Sequence, residues 1–192
     1  MRVFFITHPE VAVRPDVPVP QWALSPAGRA RLEHLLAQPW VPALTSVVSS
    51  AERKAVETAE SLAARAAAPR TVDEALHEND RSGTGYLPPA EFEAVADQFF
   101  ARPRESIRGW ERAVDAQRRI VAAAERAVSR ATGDLAIVSH GGVGTLLLCH
   151  LLGVPIDRRH DQPGQGSYFR FDADSRRVVH GWRRLDGPTA TS

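Results

Sequence analysis

The chain has 192 residues, 43% of them hydrophobic, and 24 lysines and arginines against 23 aspartates and glutamates leave a formal charge of +1. That length can bury one full core, and the near-neutral balance excludes a nucleic-acid or membrane-surface binder that works by bulk charge. A single cysteine excludes an intramolecular disulfide, and no stretch resembles a membrane span or a secretory leader, so a reducing cytoplasm is the expected setting.

The first element is a short apolar strand, Arg2-Val3-Phe4-Phe5-Ile6, which runs directly into Thr7-His8-Pro9-Glu10. Residues 11–21 carry Arg14, Pro15, Pro18 and Pro20 and are expected to form a stiff loop of the kind that covers a site. Ser25 is the expected cap of a helix starting at Pro26, with Leu32, Leu35 and Leu36 on its apolar face. A second strand at residues 45–48 ends in Ser49-Ser50-Ala51-Glu52-Arg53-Lys54, and Ser50 is the expected cap of the next helix. Arg53 and Lys54 in a first helical turn oppose the helix dipole unless an anion is bound nearby. Lys54 is also the only lysine in a chain that otherwise uses arginine, which sets it apart from compositional drift.

A third short strand at residues 70–72 leads to Leu76-His77-Glu78-Asn79-Asp80-Arg81, then to a glycine- and proline-rich loop. One helix is expected over residues 89–100, and a longer one over residues 106–132 with Ile107, Trp110, Val114, Val121, Ala124 and Val128 as its core stripe. The apolar strand Leu135–Ser139 then meets His140-Gly141-Gly142 and a helix that Gly153 and Pro155 stop. Unpaired N–H groups and a positive dipole end at this turn, with Gly141 and Gly142 admitting close approach, mark a place for an anion. Cys149 lies within the apolar helix and reads as a small buried hydrophobe. A hairpin is expected over residues 168–182, and residues 187–192 have the composition of a disordered tail.

Repeated strand-then-helix units imply a three-layer α/β/α sandwich with a mostly parallel central sheet. Residues 1–192 fit one domain, with residues 79–110 as a lid-like insertion in which Arg81, Tyr86, Arg102, Arg104 and Trp110 are candidate lining residues. Two strands each deliver a histidine, His8 and His140, at the carboxyl end, where ligands bind in open parallel sheets. The two rings are therefore expected to meet in one crevice.

The ordered motifs Phe4-Phe5-Ile6-Thr7-His8-Pro9-Glu10, Leu24-Ser25-Pro26-Ala27-Gly28, Ser49-Ser50 through Lys54-Ala55 to Thr58-Ala59, Leu76-His77-Glu78 and Ser139-His140-Gly141-Gly142 together resemble the histidine phosphatase superfamily, with its phosphoglycerate mutase-like fold. The resemblance covers nearly the whole chain. It implies a bacterial, cytoplasmic phosphatase that hydrolyses a small phosphomonoester through a phosphohistidine, with His8 as nucleophile, Glu78 as general acid then base, and His140 as a donor to the phosphoryl oxygens. The phosphate-binding positions it implies are Thr7, Arg14, Lys54 and Gly141. No metal and no organic cofactor is required, and the implied partner is a small anionic phosphorylated substrate, not nucleic acid or a membrane. Oligomeric state is left open, a homodimer included.

The sequence departs from that pattern at three places. Thr7 stands where the family has arginine, Pro9 where it has glycine, and Lys54 where it has a second arginine. A lysine is a point charge where a guanidinium is a planar fork, so Arg14 or Arg53 becomes a candidate replacement. The competing reading is an inactive relative that binds a phosphorylated or other anionic ligand, and mutase-type transfer is a lesser one. A dinucleotide site at Gly142-Val143-Gly144 lacks the third glycine, which is Leu147, and a metal held by His8, His140 and Glu78 is a further, weaker reading.

Overall fold

Val3 and Phe5 of the first strand, β1 (Arg2–Thr7), are buried on one side of the sheet, and Phe4 and Ile6 on the other. A strand with both faces apolar must lie in the interior of a sheet covered by helices on each side. That is its place in the computed structural model, which describes residues 1–186. Residues 187–192, expected to be a disordered tail, lie outside the described residues.

The remaining strands are β2 (Ser46–Ser49), β3 (Arg70–Val72), β4 (Leu135–Ser139), β5 (Ser167–Asp172) and β6 (Val178–Arg184). They form one sheet in the order β3-β2-β4-β1-β5-β6. The pairs β3–β2, β2–β4 and β4–β1 are parallel, and β5 and β6 add an antiparallel hairpin at the edge. The helices are α1 (Pro26–Leu36), α2 (Arg53–Ala66), α3 (Pro89–Ala101), α4 (Ala113–Arg130) and α5 (Gly141–Leu152). Leu32, Leu35, Ala59 and Leu62 of α1 and α2 pack with Phe4 and Ile6 on one face, where Trp40 stacks on Phe4 with ring centroids 4.0 Å apart. Val95, Phe99, Ile120 and Leu146 of α3, α4 and α5 pack with Val3 and Phe5 on the other. The three layers expected from the strand-then-helix alternation are thus present.

Two local expectations differ from the structure. The long helix begins at Ala113, because Arg108 (φ 51°) and Gly109 (φ 81°) take left-handed conformations that an α-helix cannot contain. Ile107 and Trp110 are still buried, but from an irregular segment. Ser50 does not cap α2; Glu52 occupies that position, and the Ser50 hydroxyl turns toward His140. Ser25 caps α1 as expected, its hydroxyl accepting from the Gly28 N–H. The loop of residues 11–21 contains one short 3₁₀ turn, Val19–Gln21.

Candidate active site

The parallel pairing of β1 with β4 aligns Thr7 with Ser139, so the residues that follow them, His8 and His140, emerge side by side. The N–H of His8 donates to the Ser139 carbonyl at 3.3 Å, which locks the two strand ends together. The imidazole centroids are 5.2 Å apart with the rings inclined at 67°. Both rings are buried.

His8 has a defined tautomer. Its Nδ1 lies 2.8 Å from the Pro9 carbonyl oxygen, which can only accept, so Nδ1 carries the proton and Nε2 keeps a free lone pair. Burial, aided by the Lys54 ammonium, lowers its pKa from 6.5 to about 4. His140 directs Nε2 to the Ser50 hydroxyl at 2.9 Å and to Glu52 Oε1 at 3.3 Å. Its Nδ1 is buried and has no partner among the described residues. Burial holds this ring well below the usual histidine range, although the Glu52 carboxylate pulls the other way.

Glu52 was not singled out by the sequence. It is buried beside the two histidines, its Oε2 paired with the Lys54 ammonium and its Oε1 accepting from the Glu78 N–H at 3.0 Å. Burial works to raise its pKa, but His140 and Lys54, with the Glu78 N–H, outweigh that and hold it well below the carboxylate range. Lys54 also donates to the Val19 carbonyl at 2.9 Å, so two of its three N–H groups are occupied within the protein. The sequence signal for Glu52 was weak: residues two apart in a helix do not face each other, and here they meet only because Glu52 lies at the entry to α2, outside the regular turns.

The N-terminus of α5, expected to face a bound anion, holds the protein's own carboxylate. Glu78 accepts from the N–H groups of Gly142 at 3.2 Å and Val143 at 3.0 Å, and from that of Asn79 at 3.1 Å. The Gly142 and Val143 groups are orphan donors of a helix start. A Cβ at Gly142 would stand 2.9 Å from Glu78 Oε1, which is why glycine is needed there.

A cavity of about 490 Å³ opens over this group, with His8, Lys54, Glu78, His140 and Gly141 in its wall. Gly141 faces the Gln162 amide, which a Cβ there would meet at 2.2 Å. Two sequence-derived positions lie elsewhere. Thr7 is buried below the rim, donating to Gln162 Oε1 at 2.7 Å and accepting from the Ser167 N–H at 3.0 Å. Arg14 is exposed and paired with Asp16, as Arg53 is with Glu57. Of the candidate lid residues, Arg81, Tyr86 and Trp110 line the cavity; Arg102 and Arg104 do not. Asn79, which the sequence did not mark, also lines it, and its Nδ2 is buried without a partner among the described residues. Among the described residues no group of three or more histidine, cysteine, aspartate or glutamate side chains is arranged to hold a metal ion. Cys149 is buried, and burial raises its thiol pKa.

A mixed α/β sheet whose parallel strands β1 and β4 bring two histidines, beside a glutamate, to one cavity is an architecture suited to phosphoryl-group chemistry. The model of the histidine phosphatase superfamily (branch 1) matches residues 10–182, and the chain belongs to that superfamily. Its match starts two residues after His8, at the point where Thr7 and Pro9 depart from the family pattern. Among solved structures, a mycobacterial glucosyl-3-phosphoglycerate phosphatase with inorganic phosphate superposes with a TM-score of 0.74 at 22% identity, over 99% of this chain and 97% of that one. YhfR of Bacillus stearothermophilus gives 0.74 at 22% identity, over 100% and 98%. The α-ribazole phosphatase of Shigella flexneri gives 0.72 at 18%, over 100% and 99%. At these identities the likeness is one of fold. No curated protein matches the chain. Among the described residues no helix is long and apolar enough to cross a membrane.

Proposed function

We propose that the protein is a cytoplasmic phosphatase that hydrolyses a small phosphomonoester through a phosphohistidine on His8. The observation that carries this reading is the His8 ring, whose Nδ1–H is committed to the Pro9 carbonyl and whose Nε2 lone pair is left free beside His140. Nε2 attacks phosphorus as the bond to the leaving oxygen breaks, and the Glu78 carboxyl gives that oxygen its proton. Water then attacks the phosphohistidine, Glu78 takes the proton from the water, the N–P bond breaks, and its electron pair returns to Nε2. His140 Nδ1, without a partner among the described residues, is the ring atom available to a phosphoryl oxygen. A bound dianion raises the proton affinity of that ring and favours the donor form, with Glu52 on its far side. Residues 79–110 form the lid in this reading, since Tyr86, Phe92, Phe99 and Trp110 wall the cavity.

The test is hydrolysis of an aryl phosphate by the wild type and by His8→Ala, with rapid-quench detection of an acid-labile phosphoprotein. Turnover and a labelled intermediate that both vanish in His8→Ala support the reading; equal turnover in the two proteins sinks it. One observation favours a second reading, an inactive relative that binds an anionic ligand: Lys54 is already neutralised by Glu52. Phosphate binding without turnover would select it.

A further inference from the structure

The charges around the two histidines do not by themselves suit a phosphate. Glu52 and Lys54 cancel, and burial keeps both rings neutral near pH 7. A phosphoryl dianion placed there meets no uncompensated positive charge unless another cation reaches it. Two arginines line the cavity. Arg158 is committed to Glu93 and Asp97, whereas Arg81 makes no side-chain hydrogen bond or ion pair among the described residues.

We propose that Arg81 is the guanidinium that clamps the substrate's phosphoryl group, with the Asn79 side-chain amide as a second donor. This rests on the phosphomonoester reading of the cavity. Arg81 follows Glu78 by three residues and lines the same cavity as His8, Glu78 and His140. Its guanidinium carbon lies 5.1 Å from the Phe92 ring centroid and 5.7 Å from that of Trp110. The indole N–H of Trp110 in turn donates to Thr84 Oγ1 at 2.9 Å, and the Glu111 N–H donates to the Asp80 carbonyl at 2.8 Å, tying the loop to its support. Two aromatic faces thus hold the cation in place without consuming its N–H fork, which stays free for a bidentate anion. Arg81 is near enough that its charge opposes protonation of His8, His140 and Lys54. Asn79 Nδ2 is a buried donor in the same wall with no acceptor among the described residues.

The experiment is calorimetric binding of inorganic phosphate to the wild type, Arg81→Leu, Arg81→Lys and His8→Ala, beside aryl phosphate kinetics on each. Arg81→Leu is expected to weaken phosphate binding roughly tenfold or more, as for loss of a hydrogen-bonded charge. Its KM rises in step, and Arg81→Lys falls between the two. Near-UV circular dichroism of Trp110 checks that the loop is still packed. A wild type that binds no phosphate, or an Arg81→Leu whose phosphate affinity and KM stay within about twofold of wild type, overturns the proposal. If His8→Ala abolishes turnover in that second case, the phosphatase reading survives. If phosphate binds and depends on Arg81 but nothing is turned over, Arg81 stands and the phosphatase reading falls.

Discussion

Oε1 of Glu52 lies 3.3 Å from Nε2 of His140, and both side chains are buried. The other carboxylate oxygen pairs with Lys54. One carboxylate thus joins the second histidine, the only lysine and, through its N–H, Glu78 into a single polar network under the cavity. Removing it leaves the Lys54 ammonium buried and unpaired.

Glu52→Ala is therefore expected to destabilise the fold by about 3–5 kcal/mol, the cost of stranding one partner of a buried ion pair. Glu52→Gln, which keeps an acceptor for the Glu78 N–H, loses less. Urea denaturation of the three proteins measures the difference, and an Ala variant within 1 kcal/mol of wild type, allowing about that for a solvated pair, contradicts the network.

Stability is expected to fall with acid, beginning near neutral pH. His8 is lowered from 6.5 to about 4, so between those values the unfolded chain takes a proton that the native state refuses. The contribution is complete above 6.5 and is lost as pH falls toward about 4. His140 acts in the same direction, and the depressed Glu52 contribution is lost below the usual carboxylate value of 4.5. Urea midpoints measured across this range should rise with pH, and His8→Gln should flatten the slope. A wild-type profile without slope contradicts a neutral buried His8.

Glu78 has two separable duties. Glu78→Gln keeps one oxygen for the Val143 N–H, gives up the acceptor for the Gly142 N–H and cannot transfer a proton; Glu78→Ala loses both acceptors. Gln should lower kcat by about 10²–10⁴ and cost less stability than Ala, which loses both acceptors at about 1 kcal/mol. Equal kcat for Gln and wild type would leave Glu78 as a cap alone.

Gly144 sits where α5 crosses the sheet. A Cβ there would lie 2.6 Å from Phe5 Cε1 and 2.8 Å from the Trp182 ring. Gly144→Ala is expected to cost about 1–3 kcal/mol by overpacking, read as a lower urea midpoint. An unchanged midpoint would mean that Trp182 yields freely.

His8 and His140 were legible in the sequence because each directly follows a run of apolar, strand-forming residues, and the end of such a run is a local property. Glu78 was legible only through the Leu76-His77-Glu78 resemblance, and its seat on α5 was not, since that contact joins residues 64 and 65 positions apart. The late start of α4 was missed because the stripe through Ile107 and Trp110 is apolar at helical spacing while the backbone at Arg108 and Gly109 turns left-handed. Both side chains enter the core anyway, so the periodicity was real and its cause was not a helix.

The strand-then-helix units, the layering that both-faced apolar strands require, and the residue standing at each strand's carboxyl end are all readable along the chain. These follow from side-chain periodicity and turn chemistry, which act over a few residues. Where each charge finds its partner emerges from the folded chain alone: Arg14 with Asp16, Lys54 with Glu52, Glu78 on α5, and Arg81 on two aromatic rings. Charge pairing depends on distance through space and on burial, and neither is encoded in the spacing along the chain.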